Sequence, residues 1–178
     1  THDQTPTAVS LADYVGRMRE GQKAIYFITA DSIEAAIASP HLEIFTKHGV
    51  EVLLLTDEVD EWVVGHLTEF EDKSLHSVTK GELGLEDLGA ADAAKADANE
   101  ASADDADTPG SELAERIKKA LETQVKDVRI TQRLVSSPAC LVADEHELGA
   151  HLERILKASG QEIAQTKPIM EINPSHPL

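Results

Sequence analysis

"AIYFITADSIEAAIASPHLEIFTKHGVEVLLLTDEVDEWVVGHLTEFEDKSLHSVTK", Ala24 to Lys80, decides the fold. Its first seven residues are a nearly continuous β-branched and aromatic run, the pattern of a strand covered on both faces. Asp31 or Ser32 can cap a helix over "SIEAAIAS",. Pro40 stops it or starts another turn, "PHLEIFTKHG", and Gly49 ends that piece as a C-cap glycine does,. "VEVLLLTD", Val50 to Asp57, repeats the buried-strand signal. A helix is expected over "EVDEWVVGHLTEF" and a third, alternating strand over "SLHSVTK", Ser74 to Lys80. Strand, helix, strand, helix, strand makes a small α/β unit, βαβαβ-like, with a parallel pair at its heart.

Upstream, Thr1 to Asp13 is polar and reads as a leader, and "SLADYVGRM" suits a helix with Leu11, Val15 and Met18 on one face,. Downstream the composition shifts. Gly84 to Gly110 holds eight acids, one base (Lys95) and only two large apolar residues, Leu85 and Leu88. Such a stretch buries too little surface to offset its ordering entropy and reads as a flexible linker or a solvated helix. Beyond it, "SELAERIKKALETQ" is amphipathic, with Leu113, Ile117, Ala120 and Leu121 in one stripe and Thr108 or Ser111 as cap,. Strands are expected over Val125–Thr131, Pro138–Asp144 and Lys167–Pro174, with a helix over "DEHELGAHLERILKAS" ending at Gly160. The expected organisation is therefore 1–83, an acidic linker at 84–110, and a second small α+β domain over 111–178.

The net charge of -17 on 178 residues repels nucleic acid and anionic membrane surfaces,. Aromatics make up 3% of the chain, so a core of Ile, Leu, Val and Ala is expected. One cysteine permits no intrachain disulfide, which fits a reducing compartment,. No apolar run approaches the roughly 18 residues of a membrane span. No phosphate-binding glycine loop or nucleophile elbow is present. The eight histidines never fall at i, i+4 around a glutamate, so no metal site is expected,. Cys140, among apolar neighbours, reads as a buried inert thiol.

Two apolar surfaces remain. At 100° per residue, Val59, Val63, Leu67 and Phe70 form the central stripe of the "DEW" helix, with Trp62 at its margin and Val64 pointing away. Trp62 is either a boundary core residue or a contact anchor; the acids beside it, Glu58, Asp60 and Glu61, suit the positive end of the helix dipole. On the later helix Leu148, Leu152, Ile155 and Leu156 lie at i, i+4, i+7 and i+8, either facing a core or facing a partner.

The runs "IYFITADS", "SPHLE", "GVEVLLLTDEVDEW" and "LTEFEDKSLHSVTK", followed by "VKDVRITQRLVSSPACLVADE" and "MEINPSHPL", closely resemble the ninety-kilodalton heat-shock chaperone family in its bacterial form. The match covers the late middle domain and a C-terminal domain and is weakest at 1–20 and 84–110. The resemblance implies a piece of a homodimeric, ATP-driven, cytoplasmic stress-response chaperone. Its nucleotide pocket, with ATP and magnesium, and its catalytic arginine would lie outside this chain, leaving the fragment without cofactor or enzyme activity. It implies partly folded clients as partners, possible co-chaperones, self-association through helices beyond "NPSHPL", and neither nucleic acid nor membrane. By the same resemblance Glu61 and Trp62 match a client-contacting surface, and Leu148, Leu152, Ile155 and Leu156 match apolar residues facing the dimer cleft, which implies exposure for both surfaces. Gly65 stands where that surface is expected to carry a polar residue. Aliphatics replace the commoner methionines and aromatic on the later helix, keeping stickiness but losing thioether adaptability.

Overall fold

The computed structural model describes residues 8–81, 110–144, 150–160 and 166–177. Helix α1 (Leu11–Arg17) leads into strand β1 (Ala24–Thr29), followed by α2 (Ile33–Ile37). A 3-10 turn (Pro40–Leu42) joins α3 (Glu43–His48), then β2 (Leu53–Leu55), α4 (Glu58–His66), β3 (Glu69–Phe70) and β4 (Lys73–Ser77). Further along the chain come α5 (Ser111–Ala120), β5 (Asp127–Ile130), β6 (Ala139–Val142), α6 (Ala150–Ala158) and β7 (Ile169–Ile172). The linker expectation at 84–110 and Leu148 lie outside the described residues, save Gly110.

The first sheet has the order β2-β1-β4-β3, with β1 parallel to both β2 and β4. This is the α/β unit expected from the sequence. Strand β1 is central, and five of its six residues are buried, as its unbroken apolar run requires,. Ser32 caps α2 by accepting from the Ala35 N–H. Gly49 closes α3 at φ 62, the left-handed region in which an added Cβ is strained,. The second sheet, β5-β7-β6, pairs β5 with β7 in parallel and β6 with β7 antiparallel. A bridge between Lys80 and Ala143 joins the two sheets.

Several expectations are corrected. The aromatics are few but central: Tyr14, Tyr26, Phe27 and Phe45 are buried, and the Tyr26 and Phe45 rings meet at 4.8 Å. The buried residue of α1 is Tyr14, not the Leu11–Val15–Met18 face. Its hydroxyl donates to the Glu51 carbonyl at 2.7 Å and accepts from Gln22 and the Tyr26 N–H. Helix α4 stops at His66, because Glu69–Phe70 pairs with β4 in a hairpin turned by Glu71 and Asp72, both at positive φ. Two positive φ values at the turn match the right-handed twist of the flanking strands. Strand β2 is three residues long, since pairing with β1 runs only from Leu53 to Leu55. Gly110, at φ 98, precedes α5 in place of a Thr108 or Ser111 side-chain cap. Ala114 and Ile117 of α5 and Leu121 just past its end pack with Val125, Val128 and Ile172, while Leu113 is exposed.

Candidate functional site

Helix α4 begins with Glu58, Asp60 and Glu61 in its first turn, and the Asp57 N–H donates to Asp60 at 3.0 Å. Acids there meet the unpaired N–H groups and the positive end of the helix dipole. The helix buries no residue completely. Its apolar stripe, for which the sequence left a core and a contact reading open, points outward: Val59 is 60% exposed, Trp62 53% and Val63 46%. Val64, expected to face away from the stripe, is partly buried and lines a cleft with Glu61. The helix period fixed the angles between these residues but not which side the sheet would cover. Leu67 and Phe70 are half-buried beyond the helix end. Trp62 thus sits in an exposed apolar patch on an acidic surface.

On α6, Leu152, Ile155 and Leu156 are half-buried, neither sealed nor free, and His151 is buried. This helix is tied to the first sheet. Asp31, just past the end of β1, accepts from Arg154 and holds His151 Nδ1 at 3.0 Å. Burial alone would raise the Asp31 carboxyl, but the Arg154 and His151 contacts outweigh it and hold it below its ordinary value,.

Between the sheets lies a cleft of about 560 Å³. Its walls come from the carboxyl end of β1, from β4, from Glu61 and Val64 of α4, and from Leu152 of α6. The structure therefore brings Glu61 and Leu152 to one cleft, with Trp62 exposed beside them on α4. Ile155 and Leu156 do not line it.

Two contacts lock the sheets together beneath this cleft. Glu43 opens α3, and its carboxylate accepts from the N–H groups of Val135, Ser136 and Ser137 at 2.6, 2.8 and 3.2 Å. The hydroxyls of Ser136 and Ser137 add bonds at 2.9 and 2.5 Å. Partial burial pushes this carboxyl up, but the Ser137 hydroxyl and the backbone N–H groups dominate and hold it down to about 2,. In the opposite direction Arg133, buried, donates to the carbonyls of Val78 and Gly81 at 2.8 and 2.9 Å. Its Nε meets Glu171 at 3.2 Å, and Arg129 reaches the same carboxylate at 2.9 Å. Both ions of the Arg133–Glu171 pair are buried, so the pair holds only because further hydrogen bonds satisfy it. Against this network lies His41; its burial, then the Arg133 charge, pull its pKa down to about 4. Cys140 is buried and its thiol is pushed up to about 12 by that burial, the chemistry of an unreactive cysteine,.

Glu43, Arg133, His41 and His151 were not singled out from the sequence, and Asp31 only as a helix cap. The pair Ser136–Ser137 before Pro138 signals a turn, but nothing local announces a carboxylate from a residue over ninety positions away. Among the described residues no His, Cys, Asp or Glu group could hold a metal ion, and no helix is long and apolar enough to cross a membrane.

A family model for Hsp90 protein matches residues 1–178. The chain is 57% identical over 178 residues to a chaperone protein HtpG of Dechloromonas aromatica, covering 99% of this chain and 27% of that protein. It is 57% identical to one from Chromobacterium violaceum, covering 100% of this chain and 27% of the relative. A third, from Bordetella pertussis, is 52% identical over 179 residues, again at 100% and 27%. The chain spans about a quarter of the length of these relatives.

Proposed function

The chain belongs to the Hsp90 family of molecular chaperones, and on that premise we propose that it is the portion of an ATP-dependent chaperone that holds partly folded clients and couples neighbouring domains. One observation carries the reading. A chain of net charge -17 leaves its only tryptophan, with Val59 and Val63, open to solvent. Contiguous exposed apolar side chains of this kind mark interaction sites. Tryptophan supplies large contact area at small entropic cost. Such contact needs no particular client sequence, and the acidic surround disfavours self-association while drawing in basic segments.

The residues here do not fit ATP. The chain carries no glycine-rich phosphate loop,. The parent's nucleotide, magnesium, self-association and co-chaperones belong, on this reading, to segments outside this chain, and its compartment is the bacterial cytoplasm.

A second reading has its own support. The Glu43 cradle and the Arg133 contacts are what a purely structural transmission unit needs, one that orients domains and touches no client. Trp62→Ala and Leu152→Ala separate the two, measured as affinity of the chain for a permanently unfolded, reduced protein. Client contact predicts that Trp62→Ala weakens binding roughly thirtyfold, the size of a tryptophan hot spot, with unfolding temperature unchanged. Unchanged affinity in both correctly folded variants favours the transmission unit.

A further inference from the structure

Helix α6 forms one wall of the cleft through four consecutive residues, His151, Leu152, Glu153 and Arg154. Two of its polar side chains, His151 and Arg154, reach across to the first sheet's unit, and both meet Asp31. His151 Nδ1 lies 3.0 Å from one oxygen of that carboxylate, and Arg154 donates to the other. Glu153, between them, turns back to its own unit and accepts from Lys157 at 3.3 Å and from Thr166 at 2.7 Å.

This attachment is weak on three counts. The side chains of Asp31 and Arg154 are 56% and 60% exposed, so water and salt screen their attraction and the pair contributes little,. His151 is buried, and its Nε2 finds no hydrogen-bond partner among the described residues, which makes its docked position costly,. Leu152, Ile155 and Leu156 are only half-buried, so docking removes only part of their apolar surface from water,.

The strong contacts between the two units lie elsewhere. Glu43 holds the turn before β6, and Arg133 holds the carbonyls of Val78 and Gly81. Neither contact involves α6, so the helix is free to leave the cleft while the sheets stay joined. A docked and a released position that differ by a few weak contacts are close in energy, and one contact moves the balance between them.

We propose that α6 is a latched lid: Asp31 holds it against the cleft, and its release adds Leu152 and the apolar cleft wall to the client-contacting surface. The proposal rests on the client-holding reading and names how that surface is regulated. Phe27, Val64, Leu75 and Leu141 line the cleft that the lid adjoins, and Val64 stands two residues after Trp62 on α4. Docked, α6 withholds part of this surface. Released, it joins the cleft wall to the Trp62 patch.

The test reverses the charges of the latch in the intact chain. Asp31→Arg sets two cations against each other, Arg154→Asp sets two anions, and the double variant restores an ion pair at unchanged net charge. In Asp31→Arg, amide exchange across residues 152–156 should quicken at least about threefold, the scale of one exposed ion pair, while β1 keeps its protection. Affinity for a permanently unfolded, reduced protein should rise by a similar factor, and the double variant should reverse both changes. The sign separates the lid from a charge effect, because loss of an acid by itself weakens attraction to basic segments. Leu152→Ala added to Asp31→Arg should remove the gain in affinity. Unchanged exchange in α6, acceleration shared equally by β1, or acceleration that the double variant does not reverse overturns the latch. Faster exchange in α6 with no gain in affinity overturns its regulatory role and leaves client holding intact. Binding of no unfolded protein by the unaltered chain removes the client-holding reading and this proposal with it.

Discussion

The Ser137 hydroxyl donates to Glu43 Oε1 at 2.5 Å across the junction of two sheets. Glu43 opens α3 of the first sheet's unit, and Ser137 sits in the turn before β6 of the second. The same carboxylate also takes three consecutive backbone N–H groups, so one side chain fixes a whole turn. That contact pins the turn before β6 to the start of α3.

Glu43→Gln keeps the shape of the side chain but removes its charge and half its acceptors. Charged hydrogen bonds of this kind contribute about 1.5–3 kcal/mol, so a loss of about that size is expected in urea unfolding. Amide exchange should accelerate at Val135, Ser136 and Ser137 before it does in β1.

Tyr14→Phe tests a different anchor. The hydroxyl it removes serves the Glu51 carbonyl, the Gln22 amide and the Tyr26 N–H. Tyr14 is 1% exposed, so these bonds are lost away from water. The expected cost is about 1–3 kcal/mol in denaturant unfolding, with little change in client affinity.

Acid should weaken the junction in two windows. His41, with a folded pKa of about 4 against an ordinary 6.5, binds its proton more readily when unfolded. Stability is therefore lost as pH falls from about 6.5 toward 4. Glu43, held at about 2 against 4.5, contributes stability above its unfolded value that is lost as pH falls through about 4.5 toward 2,. Unfolding free energies measured from pH 7 to 4 should decline, and His41→Gln should flatten that slope above pH 5.

Local chemistry made much of this fold legible. The β1 run, the Ser32 cap, the Gly49 stop and the alternation of β4 each announce themselves within a few residues. The β3–β4 hairpin did not, because Glu71 and Asp72 occupy the left-handed positions where Asn-Gly is the familiar signal,. Trp62 was identified, but periodicity along one helix cannot say which side is covered. The sheet took Glu61 and Val64 toward the cleft and left Val59, Trp62 and Val63 outside. The cleft's histidines were invisible for a related reason: their pairing with Asp31 and their proximity to Arg133 exist only after distant segments meet.

Trp62 is the only tryptophan, so its fluorescence reports one position without a label. The most direct measurement titrates the chain with an unfolded, tryptophan-free polypeptide while binding is followed independently by anisotropy of a dye on that polypeptide. The account predicts an emission shift to shorter wavelength and protection from iodide quenching, both saturating with the anisotropy. Saturated anisotropy with Trp62 still emitting and quenching as a solvent-exposed indole would contradict it.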